Sequence, residues 1–294
     1  MKLCKWSDLH LEMAKTAPTW KNPGADVLIL SGDICIANDL YRNPRDIDPN
    51  VIRKDDRIRN ARLYRDFFNH VSDQFNHVIY VAGNHEHYRG RWDQTIDILI
   101  EETEHYPNIH FLEQNGIVID NIVFLGASLW TDMNKIDPIT MMNIRDIMND
   151  YKVVADFSNG KWGRLFPTVT VAKHQETLQW LKIQLNEDNR KTVVVTHHAP
   201  SFKSINEIYK NEWLTNGAYV SDLSEFIIEN PNIILWTCGH VHHSHRYYIG
   251  DTLCISNPLG YSNERTGFNP SKIVDLNSLP TFQEVDNDYN WTNF

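Results

Sequence analysis

The chain has 294 residues, 41% of them hydrophobic and 22% charged, which is ordinary for a globular protein with a substantial core. Its formal net charge of −10 disfavours a broad surface for the phosphate backbone of nucleic acids. No apolar run approaches the ~20 residues of a membrane span, and the N-terminus lacks the apolar region of a secretory signal, so the sequence predicts a cytoplasmic protein.

The first third of the chain alternates predicted strands with predicted helices. Short apolar runs rich in β-branched residues predict strands at Lys2–Trp6, Asp26–Leu30 and His77–Ala82. Apolar residues at near-helical spacing predict helices over Arg57–Phe75 and Trp92–Glu104, the second with Ile100 facing the core. The polar, charged stretch Ile36–Asp56 predicts a loop or a small insertion.

The rest of the chain adds hairpins to this alternation. Strands are predicted at Ile109–Leu112, Gly116–Asp120, Ile122–Gly126, Thr192–Val195, Ile233–Cys238, Tyr247–Ile249, Thr252–Ser256 and Lys272–Asp275. Helices are predicted over Val169–Glu187 and Ser221–Glu229, the latter with Ser221 as its N-cap. Asp120-Asn121 predicts a tight hairpin turn, and Asn287–Phe294 is expected to be a loosely held tail. The pattern predicts one α/β domain with mixed sheets, spanning residues 1–294.

Five short polar clusters follow five of these predicted strands. They are Ser7-Asp8-Leu9-His10, Ser31-Gly32-Asp33, Gly83-Asn84-His85-Glu86, Thr196-His197-His198 and Gly239-His240-Val241-His242. If the strands lie side by side, their ends share one rim, and the clusters supply Asp, Asn and His side chains to a common point. A hydrolytic site with two metal ions needs this kind of ligand set.

The spacing within the clusters also suits metal binding. Asp8 and His10 would lie on the same side of an extended segment, and so would His240 and His242, because strand side chains alternate with period two. Asn84 offers an amide oxygen, a hard donor for a divalent ion. A single cluster of this kind is weak evidence, whereas five in this order favour a metal site.

Together the five clusters resemble the motifs of the calcineurin-like metallophosphoesterases, from Asp8 to His242. The resemblance implies the family's fold, an α/β sandwich of two mixed β-sheets flanked by helices. It also implies two metal ions, drawn from Mn, Fe and Zn. The implied ligands are Asp8, His10 and His242 at one ion, Asn84, His197 and His240 at the other, and Asp33 as a bridge.

The same resemblance assigns roles beyond the ligands. His85 would be the catalytic residue that contacts the phosphate or protonates the leaving oxygen, and Asp33 would share in catalysis as the bridging ligand. Glu86 and His198 would support the ligands or face the substrate. His197 and His198 compete for one ligand position, for which the resemblance favours His197.

Residues around the clusters could complete a substrate site. Asn257–Tyr261, with Glu264 after it, forms either one wall of a pocket or an ordinary turn. Tyr88, Arg89 and Arg91 follow the G-N-H-E cluster, where they either meet a substrate phosphate or base or lie on a solvated face.

The implied activity is hydrolysis of a phosphomonoester or phosphodiester, including a nucleotide or cyclic nucleotide, by attack of a metal-bridging hydroxide. The expected partner is a small phosphate ester, with no membrane and with nucleic acid not favoured. A protein phosphatase is disfavoured, because Leu11 replaces the usual Gly of the first motif and no D-R-G follows Asp33. Two alternatives stay open: a nuclease-type relative acting on nucleic acid, and a non-catalytic interaction platform on the same fold.

Overall fold

The first β-sheet carries the N-terminal clusters. The computed structural model describes residues 1–41, 56–158 and 160–279. In it, four parallel strands and one antiparallel edge strand have the order β13-β1-β2-β3-β4. Their bounds are β1 (Lys2–Trp6), β2 (Val27–Ser31), β3 (His77–Val81), β4 (Ile109–Phe111) and β13 (Ile273–Asp275).

The second β-sheet carries the C-terminal clusters. Its strands have the order β11-β12-β10-β9-β6-β5, with parallel strands in the middle and an antiparallel strand at each edge. Their bounds are β5 (Asn115–Ile119), β6 (Ile122–Ala127), β9 (Thr192–Thr196), β10 (Ile233–Cys238), β11 (His245–Ile249) and β12 (Thr252–Ser256). A separate hairpin joins β7 (Ala155–Ser158) to β8 (Lys161–Arg164).

Helices surround the two sheets. Their bounds are α1 (Ala37–Leu40), α2 (Asp56–Gln74), α3 (Thr95–Thr103), α4 (Pro138–Ile147), α5 (Asp150–Val153), α6 (Pro167–Glu187), α7 (Trp213–Asn216) and α8 (Ser224–Ile228). Both α4 and α6 begin with proline, whose fixed φ and missing N–H suit the first turn of a helix. Among the described residues, no helix combines the length and apolar character needed to cross a bilayer.

The core has three layers because successive strand side chains point to opposite faces. Between the sheets, Val27 and Ile29 of the first pack with Val193 and Leu235 of the second. On the outer face of the first sheet, the alternate residues of β1 and β2 pack against the helix α2. On the outer face of the second, Trp236 packs against the helix α6. The mixed α/β sandwich expected from the sequence is therefore confirmed.

Some local predictions were wrong. The helix α3 begins at Thr95 rather than Trp92, and Ile100 is 43% exposed because it lies on the outer face. Ser221 does not cap α8, which begins at Ser224; its hydroxyl accepts a hydrogen bond from the Asp132 N–H instead.

Other local predictions were right or fall outside the described residues. Asp120 and Asn121 form the tight turn between β5 and β6, with φ of 47° and 63°. The predicted loop Ile36–Asp56 begins with α1, and its residues 42–55 lie outside the described part, as does the tail Asn287–Phe294.

Candidate metal centre

The seven ligand candidates meet at one rim of the sandwich. Each follows the carboxyl end of a parallel strand: β1, β2 and β3 in the first sheet, β9 and β10 in the second. The carboxylate and imidazole candidates form two clusters in which the ligand atoms lie within 4.8 Å of one another, and Asp33 belongs to both. The side chains that the sequence placed far apart along the chain are thus in contact distance.

The first cluster consists of Asp8, His10, Asp33 and His242. The Nε2 atoms of His10 and His242 are 3.1 Å apart, and His242 Nε2 is 3.4 Å from Asp8 Oδ1. His242 donates through Nδ1 to the Glu264 carboxylate at 2.6 Å. This contact orients the ring so that Nε2 faces the other members of the cluster.

The second cluster consists of Asp33, His197 and His240, with Asn84 beside them. His197 Nε2 is 3.2 Å from His240 Nδ1, 3.0 Å from Asn84 Oδ1 and 3.4 Å from Asp33 Oδ1. The Nδ1 atom of His197 donates to the carbonyl of Ser31 at 2.8 Å. The neutral His197 ring therefore directs the lone pair of Nε2 at its three neighbours.

The backbone of the ligand loops differs from the extended form that the spacing argument assumed. Five of the seven candidates have positive φ: Asp8 (54°), His10 (45°), Asp33 (55°), His240 (66°) and His242 (43°). Each such conformation costs about 1–3 kcal/mol in a residue other than glycine and persists only where the surroundings enforce it. The prediction of an extended backbone was wrong for both pairs. Asp8 and His10 nevertheless reach the same cluster, as expected, whereas His240 and His242 turn to different clusters.

Two glycines allow the close approach of these loops. Gly32 has φ of +80°, and a side chain there would collide with the His197 ring and the backbone of Gly83. At Gly239, a Cβ atom would lie 2.7 Å from Asp8 Oδ2. The close backbone approach predicted at the Gly32-Asp33 cluster is therefore present in the structure.

Glu86 binds the two loops that carry Asp33 and Asn84. Its buried carboxylate accepts hydrogen bonds from the N–H groups of Asp33 at 2.9 Å, Ile34 at 2.8 Å and Gly83 at 2.7 Å. It also accepts from the Tyr80 hydroxyl at 2.7 Å. Glu86 thus fixes the backbone beside the ligand candidates without pointing at the ligand atoms.

His85 lies next to both clusters and has a carboxylate partner. Its Nδ1 atom donates to Glu12 Oε1 at 2.8 Å, while Nε2 lies 3.3 Å from the Tyr261 hydroxyl and 4.0 Å from Asp33 Oδ2. Its ring stacks on the Tyr88 ring, with the two ring centroids 4.1 Å apart. Sequence reasoning missed Glu12, whose signal is a carboxylate four residues after Asp8.

Asp150 is a second residue that sequence reasoning missed. Asn84 donates through Nδ2 to the Tyr88 hydroxyl at 3.1 Å, and that hydroxyl donates to Asp150 Oδ2 at 3.5 Å. Because the carboxylate can only accept, the chain of donors has one direction, and the Asn84 oxygen is left to face His197. No sequence pattern near residue 150 indicates this contact, since it arises from the packing of α5.

His198 stays outside both clusters of ligand atoms. It donates through Nδ1 to the Ser128 carbonyl at 3.1 Å, and its ring packs against His240 and Trp130 at 4.4 Å and 4.9 Å. His198 is therefore buried against the His240 ring without joining either cluster.

The electrostatics of the site favour a bound cation. Burial and the neighbouring carboxylates Glu86 and Asp8 raise the pKa of Asp33 well above its ordinary value. Burial lowers the pKa of His197 to about 4, which keeps the ring neutral, the form that binds metals. Although burial opposes it, contact with Asp8 and Glu264 raises the pKa of His242 to about 9. These carboxylates therefore favour positive charge at this ring, and a metal ion would take the place of the proton there.

The residues present fit divalent metal ions. Asp8 Oδ2 is buried and has no hydrogen-bond partner among the described residues, although a buried polar atom normally has one. In both clusters, imidazole nitrogens converge at 3.1–3.2 Å with carboxylate or amide oxygens beside them. A mixed set of nitrogen and oxygen donors suits Mn, Fe and Zn.

Two mixed sheets with these ligand candidates at their shared rim match the metallophosphoesterase fold. The calcineurin-like phosphoesterase family matches residues 6–244, a range that includes every ligand candidate. The chain belongs to the calcineurin-like phosphoesterase family.

The chain is also similar to individual proteins. The chain is 27% identical over 253 residues to an uncharacterized protein of Acanthamoeba polyphaga mimivirus, covering 82% of this chain and 88% of that protein. Its fold is similar to that of the phosphopantetheinyl hydrolase from Mycobacterium tuberculosis, with a TM-score of 0.59, 16% identity and coverage of 88% and 89% of the two chains. At that identity, the likeness shows the fold alone.

Proposed function

We propose that the protein is a phosphoric ester hydrolase that uses two metal ions held by Asp8, His10, Asp33 and His242 and by Asn84, His197 and His240. One observation carries the proposal: two clusters of ligand atoms meet at Asp33, as a bridging carboxylate requires. Family membership supports phosphoesterase activity. The substrate is a phosphomonoester or phosphodiester of a small molecule, nucleotides included.

The metal ions, when bound, supply neutralisation of the phosphoryl oxygens and activation of a water molecule. The chain's own residues supply orientation. Asp33 reaches both clusters, and the hydrogen bonds that Glu86 accepts hold its loop in place. Mn, Fe and Zn are the metals that we propose, on the basis of the donor set.

His85 is proposed to protonate the leaving oxygen. Glu12 holds the proton on Nδ1, so Nε2 is the atom presented on the side of Asp33 and Tyr261. In that step the ring gives up the proton on Nε2 and keeps the proton on Nδ1, which stays hydrogen-bonded to the Glu12 carboxylate. General-acid catalysis of this kind contributes about 10²–10⁴-fold.

An interaction platform without activity is disfavoured, because the seven ligand candidates converge at one rim beside His85. A nuclease-type activity gains no support from a chain with a formal charge of −10. The cytoplasmic location and the single domain stay predictions from the sequence.

The test is metal-dependent turnover of two model substrates. The purified protein is loaded with Mn²⁺ and assayed with p-nitrophenyl phosphate and bis-p-nitrophenyl phosphate, before and after removal of the metal by a chelator. We expect turnover of at least one substrate, lost with the metal and restored by adding it back. Bound metal without turnover of either substrate would contradict the proposal and favour the platform.

His85→Ala tests the proton donor. We expect the variant to keep its metal but to lose about 10²–10⁴-fold in kcat on an alkyl phosphate, whose leaving group needs a proton. The loss should be smaller on p-nitrophenyl phosphate. His105→Ala, which removes an exposed histidine, is the matched control. Equal losses on both substrates would show that His85 does not act as the acid.

A further inference from the structure

A pocket of about 330 Å³ adjoins the candidate metal centre on the side of His85. Its walls include His85, Tyr88 and Tyr261, but none of the seven ligand candidates contributes to them within the described part of the chain. In an in-line displacement, the proton donor lies beside the leaving oxygen, so the rest of the leaving group extends past His85. The pocket is therefore in the position where a leaving group would lie, and its volume suits part of a small molecule.

Arg89 is held at the wall of this pocket in a strained conformation. Its φ is +56°, which is costly for a long side chain. The Arg89 N–H donates to the Val153 carbonyl at 3.1 Å, and its carbonyl accepts from Asn38 at 2.7 Å. Its guanidinium donates to the buried Asp39 carboxylate at 2.9 Å, while half of the side chain stays exposed.

The same carboxylate organises the rest of the wall. Asp39 Oδ2 also accepts from Asn60 Nδ2 at 2.9 Å and from the Tyr64 hydroxyl at 3.2 Å. The oxygen of the buried Asn60 amide in turn accepts from Arg59 at 3.2 Å. The buried Asp39 thus fixes Arg89 directly and Arg59 through the Asn60 amide. Both guanidinium groups line the pocket.

Among the described residues, the acids near the pocket leave these cations available to a ligand. Glu12 is engaged by His85 at 2.8 Å. Asp56 lies 3.7 Å from Arg59, but its side chain is 84% exposed, and such surface pairs are weak. Arg89 uses one Nη donor for Asp39, and a guanidinium has five N–H donors in a planar fork that matches a phosphate group.

We propose that this pocket is the leaving-group subsite and that Arg89 and Arg59 select phosphate esters whose leaving group carries a second phosphate. The inference rests on the proposed function and names a substrate class for it. It also assigns different roles to the two arginines that follow the G-N-H-E cluster. Arg89 lines the pocket, whereas Arg91 pairs with Asp93 at 2.6 Å and lies over the Trp162 ring.

The experiment compares matched substrates that differ only in the second phosphate. The Mn²⁺-loaded protein is assayed with straight-chain α,ω-alkanediol bisphosphates and with the corresponding monophosphates over a series of chain lengths. We expect kcat/KM to favour the bisphosphate by about 10- to 100-fold at the chain length that spans the pocket. Arg59→Gln and Arg89→Gln should each reduce this ratio about tenfold, whereas Arg91→Gln should leave it unchanged.

Arg89→Gln removes a partner of the buried Asp39, so a loss of activity in that variant could come from a folding defect. Arg59→Gln tests the same pocket without that problem, because the Arg59 side chain is half exposed. Binding of alkane bisphosphonates and monophosphonates, measured by titration calorimetry, gives a readout that needs no turnover. Tighter binding of the bisphosphonate that both substitutions abolish would support the subsite.

Two outcomes would overturn the inference. Equal kcat/KM for both substrate series, with active turnover, would remove the subsite and leave the proposed function intact. Absence of all turnover would contradict the proposed function. The bisphosphonate titration alone would then decide whether the subsite exists. Equal affinity of the mono- and bisphosphonates in that titration would refute it.

Discussion

The two clusters of the candidate metal centre differ in charge. In the first cluster, Asp8 contributes a carboxylate besides the shared Asp33, and His242 donates to a further carboxylate, Glu264. In the second, the extra ligand candidate is the neutral amide of Asn84, and His197 donates to a backbone carbonyl. The first cluster is therefore anionic beyond Asp33, and the second is not.

In the proposed two-metal centre, this difference predicts different tasks for the two positions. Affinity for hard cations rises with the number of charged ligands, and a carboxylate behind a ligating imidazole makes that imidazole more basic. We expect the first cluster to hold its ion firmly and the second to exchange its ion more readily. An ion with fewer anionic ligands also keeps more positive charge for the substrate's phosphate.

The largest effect is expected where the two clusters join. Asp33→Asn removes the one carboxylate that both clusters share. The affinity for both ions should therefore fall, and the difference between the two affinities should narrow. We expect kcat to fall by at least about 10³-fold, since losing even one group that stabilises charge in a transition state costs about 10²–10³-fold. Metal content by mass spectrometry and turnover are measured together; near-normal content of both ions would argue against a bridging role.

A smaller effect is expected from removing the charge that distinguishes the clusters. Asp8→Asn keeps the shape of the side chain but makes the first cluster resemble the second. Titrated with a chelator, the wild-type protein should release its ions at two separate chelator concentrations. The variant should hold the first ion about 100-fold more weakly, and the two release steps should merge. Asp146→Asn, at an exposed position, is the control, and two unchanged steps in Asp8→Asn would contradict the charge argument.

Asp150→Asn tests the second cluster alone. Without a carboxylate at the end of the chain Asn84–Tyr88–Asp150, the direction of the donors is no longer fixed, and the Asn84 amide can turn its nitrogen toward His197. We expect affinity for one ion to fall by about 10- to 100-fold while the other is retained. Asp146→Asn is again the control. If the variant lost the more firmly held ion instead, the assignment of Asp150 to the second cluster would be wrong.

The smallest effect concerns a cation beside the first cluster. Lys5 is buried in β1, where its ammonium donates to Ser7, Ser256 and the Cys238 carbonyl. Burial lowers its pKa from 10.5 to about 8, so the unfolded chain binds more protons than the folded chain between these values. This lysine's contribution to the free energy of unfolding therefore rises with pH in that window.

Lys5→Met removes that contribution. From pH 8 to pH 9, the free energy of unfolding of the wild-type protein should gain about 1 kcal/mol relative to the variant. Denaturant unfolding of both proteins at both pH values gives the difference between their free energies of unfolding. The contributions of the other titrating groups cancel in that difference. A difference that does not change with pH would mean that Lys5 stays charged in the folded protein.

The ligand candidates were predictable because each follows a strand. The strand β10 has the predicted bounds Ile233–Cys238, and its parallel neighbour β9 ends one residue later than predicted, at Thr196. Once such strands are aligned in parallel, their polar clusters must share a rim. Local pattern therefore carried long-range information about the site.

The supporting residues were not predictable for the opposite reason. Asp150 contacts Tyr88 and Glu12 contacts His85 only after distant segments have packed. No pattern surrounds Asp150, and the position of Glu12 four residues after Asp8 does not by itself indicate a contact with His85. The left-handed backbone of Asp8 and His240 was missed as well, because strand periodicity was extended past the end of the strand. Ile100 was assigned to the core from helical spacing, which identifies a face but not its limits.

The hydrogen bonds that Glu86 accepts restrict how this centre could have evolved. One carboxylate binds the backbone of the Asp33 loop and of the loop that contains Glu86 itself. An insertion or deletion in either loop would shift its N–H groups and release the other loop as well. The two segments are thus coupled structurally, and changes of specificity on this scaffold are more easily accommodated in other segments, such as the walls around Arg59 and Arg89.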